Sequence, residues 1–188
     1  TLKSMLEAKE LDVVVTFEPG GTELGNRIRS LLLDYDGNVY NRAEMMLFGA
    51  SRAQHVQEII EPALNRGAVV LCDRFADSSI AYQGYGRGIN IESIKAINNF
   101  ATGGLYPDIC FLLDLPVEIG LARHSDKDRI SSEQIDFHKR VRDGFLSIAN
   151  DNLDKYIILS AEEDALQLAK KAYNVLVSKL AESGIIDI

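Results

Sequence analysis

The stretch that decides the fold runs from Val69 to Gly84 and has the sequence VVLCDRFADSSIAYQG. Its apolar start is typical of a buried strand in a parallel sheet. The strand is expected to end at an acid–base pair, Asp73 and Arg74. Ligands bind beyond the carboxyl ends of the strands in open α/β sheets, so this pair lies where a metal-bound water or a phosphate would be held.

The acid–base pair alone is equally compatible with an ordinary surface ion pair. The residues that follow favour a ligand site, because they carry hydrogen-bonding side chains at near-helical spacing and several can face one pocket. These side chains are Ser78, Ser79, Tyr82 and Gln83.

Composition limits the class of protein. A chain of 188 residues is predicted to form one domain, residues 1–188, with an ample core. The net charge of −8 argues against a general nucleic-acid binder but not against a small anion held by a local arginine cluster. No apolar run approaches the roughly 18 residues of a membrane span, and no signal peptide is visible. Cys72 and Cys110 are interpreted as buried thiols in a reducing cytoplasm rather than as a disulfide or a metal site.

The order of helical and strand patterns predicts a doubly wound α/β domain, with a parallel sheet and helices on both faces. A glycine-rich loop is expected at residues 84–88. The predicted strands are Leu11–Phe17, the strand beginning at Val69, Pro107–Leu115 and Tyr156–Ser160. The predicted helices are Thr1–Lys9, Gly25–Leu33, Asn41–Leu64, Ile91–Gly103, Pro116–Arg123, Ile135–Asn150 and Asp164–Ser183.

Three blocks together resemble bacterial thymidylate kinases, which phosphorylate dTMP. They are EPGGT at residues 18–22, EMMLFGASRAQH at residues 44–55, and the stretch at residues 69–84. The resemblance covers essentially the whole chain. It implies a P-loop nucleoside-monophosphate-kinase fold, ATP as phosphate donor, Mg²⁺ as cofactor and a homodimer. Phe17 stands where family members usually carry Arg, so no polar role is expected at that position.

The resemblance also assigns the acceptor site. Arg74 would clamp the acceptor phosphate, and Asp73 would hold Mg²⁺ through water. Phe48 would stack on the pyrimidine, Arg52 would donate to a base carbonyl, and Tyr82 would pack beneath the sugar. His55, one turn beyond Arg52, is expected to be structural. The full set of expected dTMP-binding residues is Glu18, Arg29, Phe48, Arg52, Arg74, Ser79, Tyr82 and Gln83.

The donor site is less complete in the sequence. The family places a strand and a glycine-rich phosphate loop before the first helix, and Thr1 is the last residue of that loop or lies just beyond it. We expect further residues to precede Thr1; the alternative is a truncated protein that could not cradle ATP. The remaining expected ATP contacts are Arg123 and Ser160.

A polar segment at residues 123–132 corresponds to the family's lid. Its cations are Arg123, Lys127 and Arg129, of which Arg123 and Arg129 are expected to act in catalysis with Asp73 and Arg74. A solvated charged loop is the alternative interpretation of this segment. For the whole protein, the alternatives are another nucleotide or nucleoside kinase of the same fold and a non-catalytic nucleotide-binding protein.

Overall fold

The computed structural model describes residues 1–123 and 128–186. Helices alternate with four parallel strands, which agrees with the predicted α/β class. The strands are β1 (Val13–Phe17), β2 (Val69–Asp73), β3 (Cys110–Asp114) and β4 (Tyr156–Ser160). The α-helices are α1 (Leu2–Glu7), α2 (Glu23–Leu33), α3 (Asn41–His55), α4 (Glu61–Asn65), α5 (Ala76–Ser79), α6 (Ile91–Thr102), α7 (Val117–Arg123), α8 (Ile135–Asp151) and α9 (Ala165–Glu182).

The strands form two parallel pairs. In the first pair Val13 lies opposite Val69, and in the second Cys110 lies opposite Tyr156. Across residues 1–123 and 128–186, no ladder joins the two pairs. The strand that the family resemblance places before the first helix stays a prediction.

Two strands are shorter than predicted. β1 begins at Val13 rather than Leu11, and β3 covers residues 110–114 rather than 107–115. The pairing of β3 starts where the Cys110 N–H donates to the Lys155 carbonyl. Pro107 has no N–H to donate to a ladder, which explains why the strand does not extend back to it.

The long central helix predicted over residues 41–64 is interrupted. A π-helical turn, Val56–Ile60, separates α3 from α4. Pro62 follows in the first turn of α4, and its ring would meet the carbonyl of the preceding turn in a regular α-helix. The wider π-helical turn relieves that clash.

The glycine-rich loop predicted at residues 84–88 is wrong for its first half. Residues Ile80–Gly86 form a second π-helical segment after α5. A Cβ at Gly86 would lie 2.6 Å from the Phe137 ring, so this glycine allows α8 to approach closely. Tertiary packing thus overrides the loop preference of the glycines.

A buried apolar cluster joins this segment to α8. Its buried members are Ala81, Ile130, Phe137 and Val141, and Tyr82 and Phe48 pack against it. Tyr82 and Phe48 are both expected to bind the substrate. The core therefore contacts two side chains of the expected site and helps to position them. In the part of the chain that the structure describes, no helix is long and apolar enough to cross a membrane.

The turn between β1 and α2 depends on Gly21. Its φ is +77°, and a Cβ there would lie 2.8 Å from both the His55 ring and the Thr16 hydroxyl. The Thr22 hydroxyl then caps α2 by accepting from the Gly25 N–H at 2.9 Å. The turn is therefore specified both by its backbone conformation and by its buried neighbours.

We expect Gly21→Ala to lower the free energy of unfolding by about 2–4 kcal/mol, because left-handed strain and a buried clash add together. The matched control is Gly67→Ala, where φ is +83° and no atom lies within 4 Å of the new Cβ. The control should cost only about 1–2 kcal/mol. Urea denaturation compares the two variants, and equal losses would show that the contacts with His55 and Thr16 are unimportant.

Candidate active site

A cleft of about 1030 Å³ opens at the carboxyl end of β2 and continues between the two strand pairs. Its lining brings together every residue that the sequence suggested for dTMP, as well as Asp73. The eight are Glu18, Arg29, Phe48, Arg52, Arg74, Ser79, Tyr82 and Gln83. They come from separate parts of the chain, so their meeting is a result of the tertiary fold.

Arg52 lies at the centre of the buried side of the cleft and is 1% exposed. Its Nε donates to Glu18 Oε2 at 2.8 Å, and its Nη1 donates to Ser79 Oγ at 3.1 Å and Asn98 Oδ1 at 2.7 Å. Its Nη2 donates to the Phe75 carbonyl at 3.2 Å. A guanidinium has five N–H groups, so one N–H on Nη2 is left for a ligand.

Glu18 has both carboxylate oxygens engaged. Arg52 occupies Oε2, and His55 Nδ1 lies 3.0 Å from Oε1. Because a carboxylate only accepts, His55 Nδ1 is the donor in this contact, and His55 Nε2 lies 2.6 Å from the Thr16 hydroxyl. Glu18 therefore supports Arg52 in this structure, and its direct contact with a nucleotide stays a prediction. His55 is completely buried, in agreement with the structural role expected for it.

Arg74 has an uncommon backbone for a residue with a side chain. Its φ is +66°, and its guanidinium lies 5.2 Å from the centre of the Tyr82 ring. Residues held in this region carry strain that is often tied to function. Arg74 is exposed, and among the described residues it has no ion-pair partner. Its charge is therefore available to an anion in the cleft.

Tyr82 connects the cleft to the core. Its ring centre lies 6.2 Å from that of Phe137 and 6.0 Å from that of Phe145, both in tilted or edge-on geometry. With Arg74 stacked on it as well, the ring has little freedom to move. The family resemblance assigns Tyr82 a position beneath the sugar, and a ring held in this way is suited to that role.

Arg29 and Phe17 form a pair that the sequence did not suggest. The Arg29 Nη1 donates to the Pro19 carbonyl at 3.1 Å, and its guanidinium lies 5.7 Å from the centre of the Phe17 ring. The aromatic ring thus supports a cation of the cleft from behind. No polar role was expected at position 17, and the ring acts here through stacking.

Cys72 also lines the cleft but is not a nucleophile. Burial raises the pKa of its thiol to about 12, and the nearby charges of Glu18 and Asp73 act in the same direction. A thiol with this pKa stays protonated at neutral pH.

Comparison with known proteins decides the family of this chain. The thymidylate kinase family model matches residues 1–172. The chain belongs to the thymidylate kinase family. It is 44% identical to the thymidylate kinase of Desulfovibrio desulfuricans over 97% of this chain and 89% of that protein. It is 45% identical to the thymidylate kinase of Halothermothrix orenii over 92% of this chain and 86% of that protein. It is 44% identical to the thymidylate kinase of Trichodesmium erythraeum over 92% of this chain and 79% of that protein. The nucleoside-monophosphate-kinase fold expected from the sequence is confirmed by this membership.

The residues expected on the ATP side of this family's site lie outside the cleft lining. Arg123, at the end of α7, donates from Nη1 to the Ala161 carbonyl at 2.8 Å, which places it beside Ser160 at the end of β4. Thr1 precedes α1 and is exposed. The fold thus brings Arg123 close to Ser160, and the contact of both residues with ATP stays a prediction.

The expected lid is described only in part. Lys127, with the rest of residues 124–127, lies outside the described residues. Arg129 donates from Nη2 to Glu44 at 2.7 Å and from Nε to the Leu32 carbonyl at 2.9 Å. In this structure Arg129 therefore anchors its own turn, and its catalytic role stays a prediction.

Sequence reasoning missed four polar residues in and around the cleft, of which Glu44 and Asn98 are buried and Asp114 and Arg142 are half-buried. Glu44 had a usable signal, because it precedes Phe48 and Arg52 by four and eight residues and so shares their helix face. Asn98 gave no such signal on the amphipathic helix α6. Asp114 and Arg142 line the far end of the cleft and form a bidentate ion pair at 2.7 and 2.8 Å. Hydrogen bonds from Arg142 hold the pKa of Asp114 below its usual range.

Replacement of the free cation tests the phosphate end of the site. We expect Arg74→Ala to lower kcat/KM for dTMP by roughly 10²-fold or more, since a charge-assisted bidentate contact is lost. The free energy of unfolding should change by less than about 1 kcal/mol, because the side chain is exposed.

The matched control is Arg66→Ala, which removes an exposed arginine paired with Asp12 at 2.8 Å, outside the cleft. Steady-state kinetics and urea denaturation are compared for both variants. Near-normal kcat/KM in a folded Arg74→Ala protein would mean that Arg74 is only a surface cation.

Proposed function

We propose that the protein phosphorylates dTMP to dTDP with the γ-phosphate of ATP. The observation that carries this proposal is the cleft, where all eight expected acceptor residues line one space in a chain of the thymidylate kinase family. The structure describes the residues of the acceptor half of the site in detail. Their positions support the following role for each residue.

Arg74 binds the acceptor phosphate. The second pKa of a phosphate monoester is about 6, so the attacking oxygen is already anionic at neutral pH and needs no general base. The difficulty is to bring two polyanions together in line, and phosphoryl transfer is catalysed mainly by positioning and charge neutralisation. An exposed guanidinium at the end of β2 is suited to that task.

Arg52, Phe48 and Gln83 recognise the base. The single N–H that Arg52 has left donates to a base carbonyl, while Phe48, half-buried in the cleft wall, offers an aromatic face. Ser79 and Arg29 complete the pocket. Tyr82, fixed between Arg74 and α8, packs against the sugar and disfavours a 2′-hydroxyl.

Asp73 is the residue that would hold Mg²⁺, through water. It is exposed in the cleft, and in residues 1–123 and 128–186 no group of three or more His, Cys, Asp or Glu side chains forms a metal cage. That donor set suits Mg²⁺, which keeps several waters and binds through one or two carboxylates together with substrate phosphates. When bound, the ion neutralises phosphate charge. Arg123, Arg129, Ser160 and Thr1 remain our proposals for the ATP side.

We expect dTMP to exceed other nucleoside monophosphates in kcat/KM. The fixed donors of the base pocket match the carbonyl groups of thymine and oppose the exocyclic amines of cytosine and adenine. The preference over dUMP and dGMP follows from membership of the thymidylate kinase family. A coupled ADP-release assay on the full-length protein compares dTMP with dUMP, dCMP, dAMP and dGMP. A higher kcat/KM for any of the other four would show that the enzyme is a kinase of different specificity.

We also propose that the protein acts as a homodimer in the cytoplasm. α3 packs against both α2 and α6, and these helices carry exposed apolar side chains. Leu24 and Leu31 lie seven residues apart on α2 and are about half exposed, Met46 on α3 is 60% exposed, and Phe100 on α6 is 89% exposed. A surface of this kind is typical of a protein–protein contact. Cys72 and Cys110 are both free thiols, which is usual in a reducing compartment.

Phe100→Asp is expected to convert the dimer to a monomer in sedimentation velocity, because a charge would be buried without a partner at the interface. Leu153→Asp is the control, since Leu153 is also apolar and is 72% exposed but follows α8. A sedimentation coefficient unchanged by Phe100→Asp would remove these helices from the interface.

A further inference from the structure

Glu44 is a buried carboxylate that touches three groups at once. It lies in the first turn of α3 and is 1% exposed. Gln83 Nε2 donates to its Oε1 at 2.9 Å, and Arg129 Nη2 donates to its Oε2 at 2.7 Å. Arg87 donates to both oxygens at 3.3 Å. A buried charge needs this degree of pairing, so the site is one that the fold specifically maintains.

The carboxylate is ionised at neutral pH. Burial alone would raise the pKa of Glu44, but hydrogen bonds from Gln83 and Arg129 and the charge of Arg87 together hold it below its usual value. Arg87 has a second carboxylate partner, Glu133, so Glu44 is not needed to neutralise Arg87 by itself. An ionised carboxylate can only accept hydrogen bonds.

This restriction fixes the amide of Gln83. A side-chain amide has a donor end and an acceptor end, and the two can exchange by a flip of the group. Because Glu44 only accepts, the Nε2 end must face it. Gln83 lines the cleft and is itself 1% exposed, so its Oε1 is the amide atom left for a ligand there.

The fixed amide has a consequence for the base. Thymine presents an N3–H donor where cytosine presents an N3 acceptor, and an acceptor at Oε1 suits only the first. With the remaining N–H of Arg52 as a donor, the pocket offers one donor and one acceptor in fixed positions. Cytosine bound in this pocket would leave a buried polar group without a hydrogen-bond partner, which lowers the binding affinity substantially.

The same carboxylate connects the pocket to the turn that contains Arg129. Besides its bond to Glu44, Arg129 donates to Leu32, and its own N–H donates to the Leu33 carbonyl at 3.3 Å. The neighbouring Ile130 is buried in the cluster that holds Tyr82. Glu44 is therefore braced from two sides and does not depend on Gln83 for its position.

We propose that Glu44 is a specificity-determining positioning residue that acts through Gln83, holding the amide so that its carbonyl accepts from a pyrimidine N3–H. The inference rests on the proposed function and deepens it. Glu44 itself touches no substrate; it excludes the flipped amide, which would present a donor and accommodate cytosine.

Glu44→Gln tests the inference in the full-length protein. A glutamine keeps the shape but offers either a donor or an acceptor to Gln83, so the amide is free to flip. We expect the ratio of the dissociation constants for dCMP and dTMP, measured by calorimetry, to fall by roughly 10-fold or more. A purely structural defect would weaken both nucleotides alike and leave the ratio unchanged.

Glu133→Gln is the matched control, because it removes a carboxylate from Arg87 while the Glu44–Gln83 bond stays. The ratio should not change in this variant. In a Gln83→Ala background, Glu44→Gln should have no further effect on the ratio, since the group through which it acts is gone.

The outcomes separate the two proposals. If the wild-type protein does not bind dTMP more tightly than dCMP, the proposed function fails. If wild-type discrimination is present and Glu44→Gln leaves the ratio as it was, the role of Glu44 is disproved. Should Glu44→Gln not fold, Glu44→Asp gives a second test: its carboxylate is one methylene shorter, which breaks the 2.9 Å contact with Gln83 Nε2 while a negative charge remains. An unchanged ratio in this variant also overturns the inference.

Discussion

The buried ion pair between Arg52 and Glu18 is the interaction on which the rest of the site depends. Both side chains are almost fully buried, and burying charges is costly unless every partner is in place. Through its other donors Arg52 also contacts Ser79 on α5 and Asn98 on α6. One guanidinium therefore fixes four segments of chain relative to one another, and its main contribution is to geometry.

The same residue also connects α3 to the segment that carries Arg74. Arg52 donates to the carbonyl of Phe75, the residue directly after Arg74. The backbone of Arg74 is in the left-handed region, a conformation that persists only when its surroundings hold it. A buried side chain of α3 therefore helps to fix the direction in which the chain leaves β2. Arg52 and Arg74, the proposed base and phosphate contacts, are linked through this hydrogen bond.

Local charge explains how an acidic protein binds a polyanion. The net charge of the chain is −8, yet the cleft presents Arg29, Arg52 and Arg74. Arg52 is neutralised by Glu18, whereas Arg74 has no ion pair within the described ranges 1–123 and 128–186. Field strength at a short distance depends on the unpaired charge nearby rather than on the sum over the molecule. At the end of β2 the described part of the cleft therefore offers an unpaired guanidinium, beside the exposed carboxylate of Asp73.

The sequence by itself determined the strand and helix order, the end of β2 at Asp73, and the shared helix face of Phe48 and Arg52, because these follow from local periodicity. It also indicated, through its resemblance to a family, which eight residues line the cleft. Only the tertiary structure decided which charged side chains form ion pairs. Glu18 pairs with Arg52, and Glu44 pairs with Arg129, which lies 85 residues further along the chain. The tertiary structure likewise turned the expected loop after Gly84 into a helical segment against Phe137. Contacts between distant segments depend on how whole elements pack, and no local spacing encodes them.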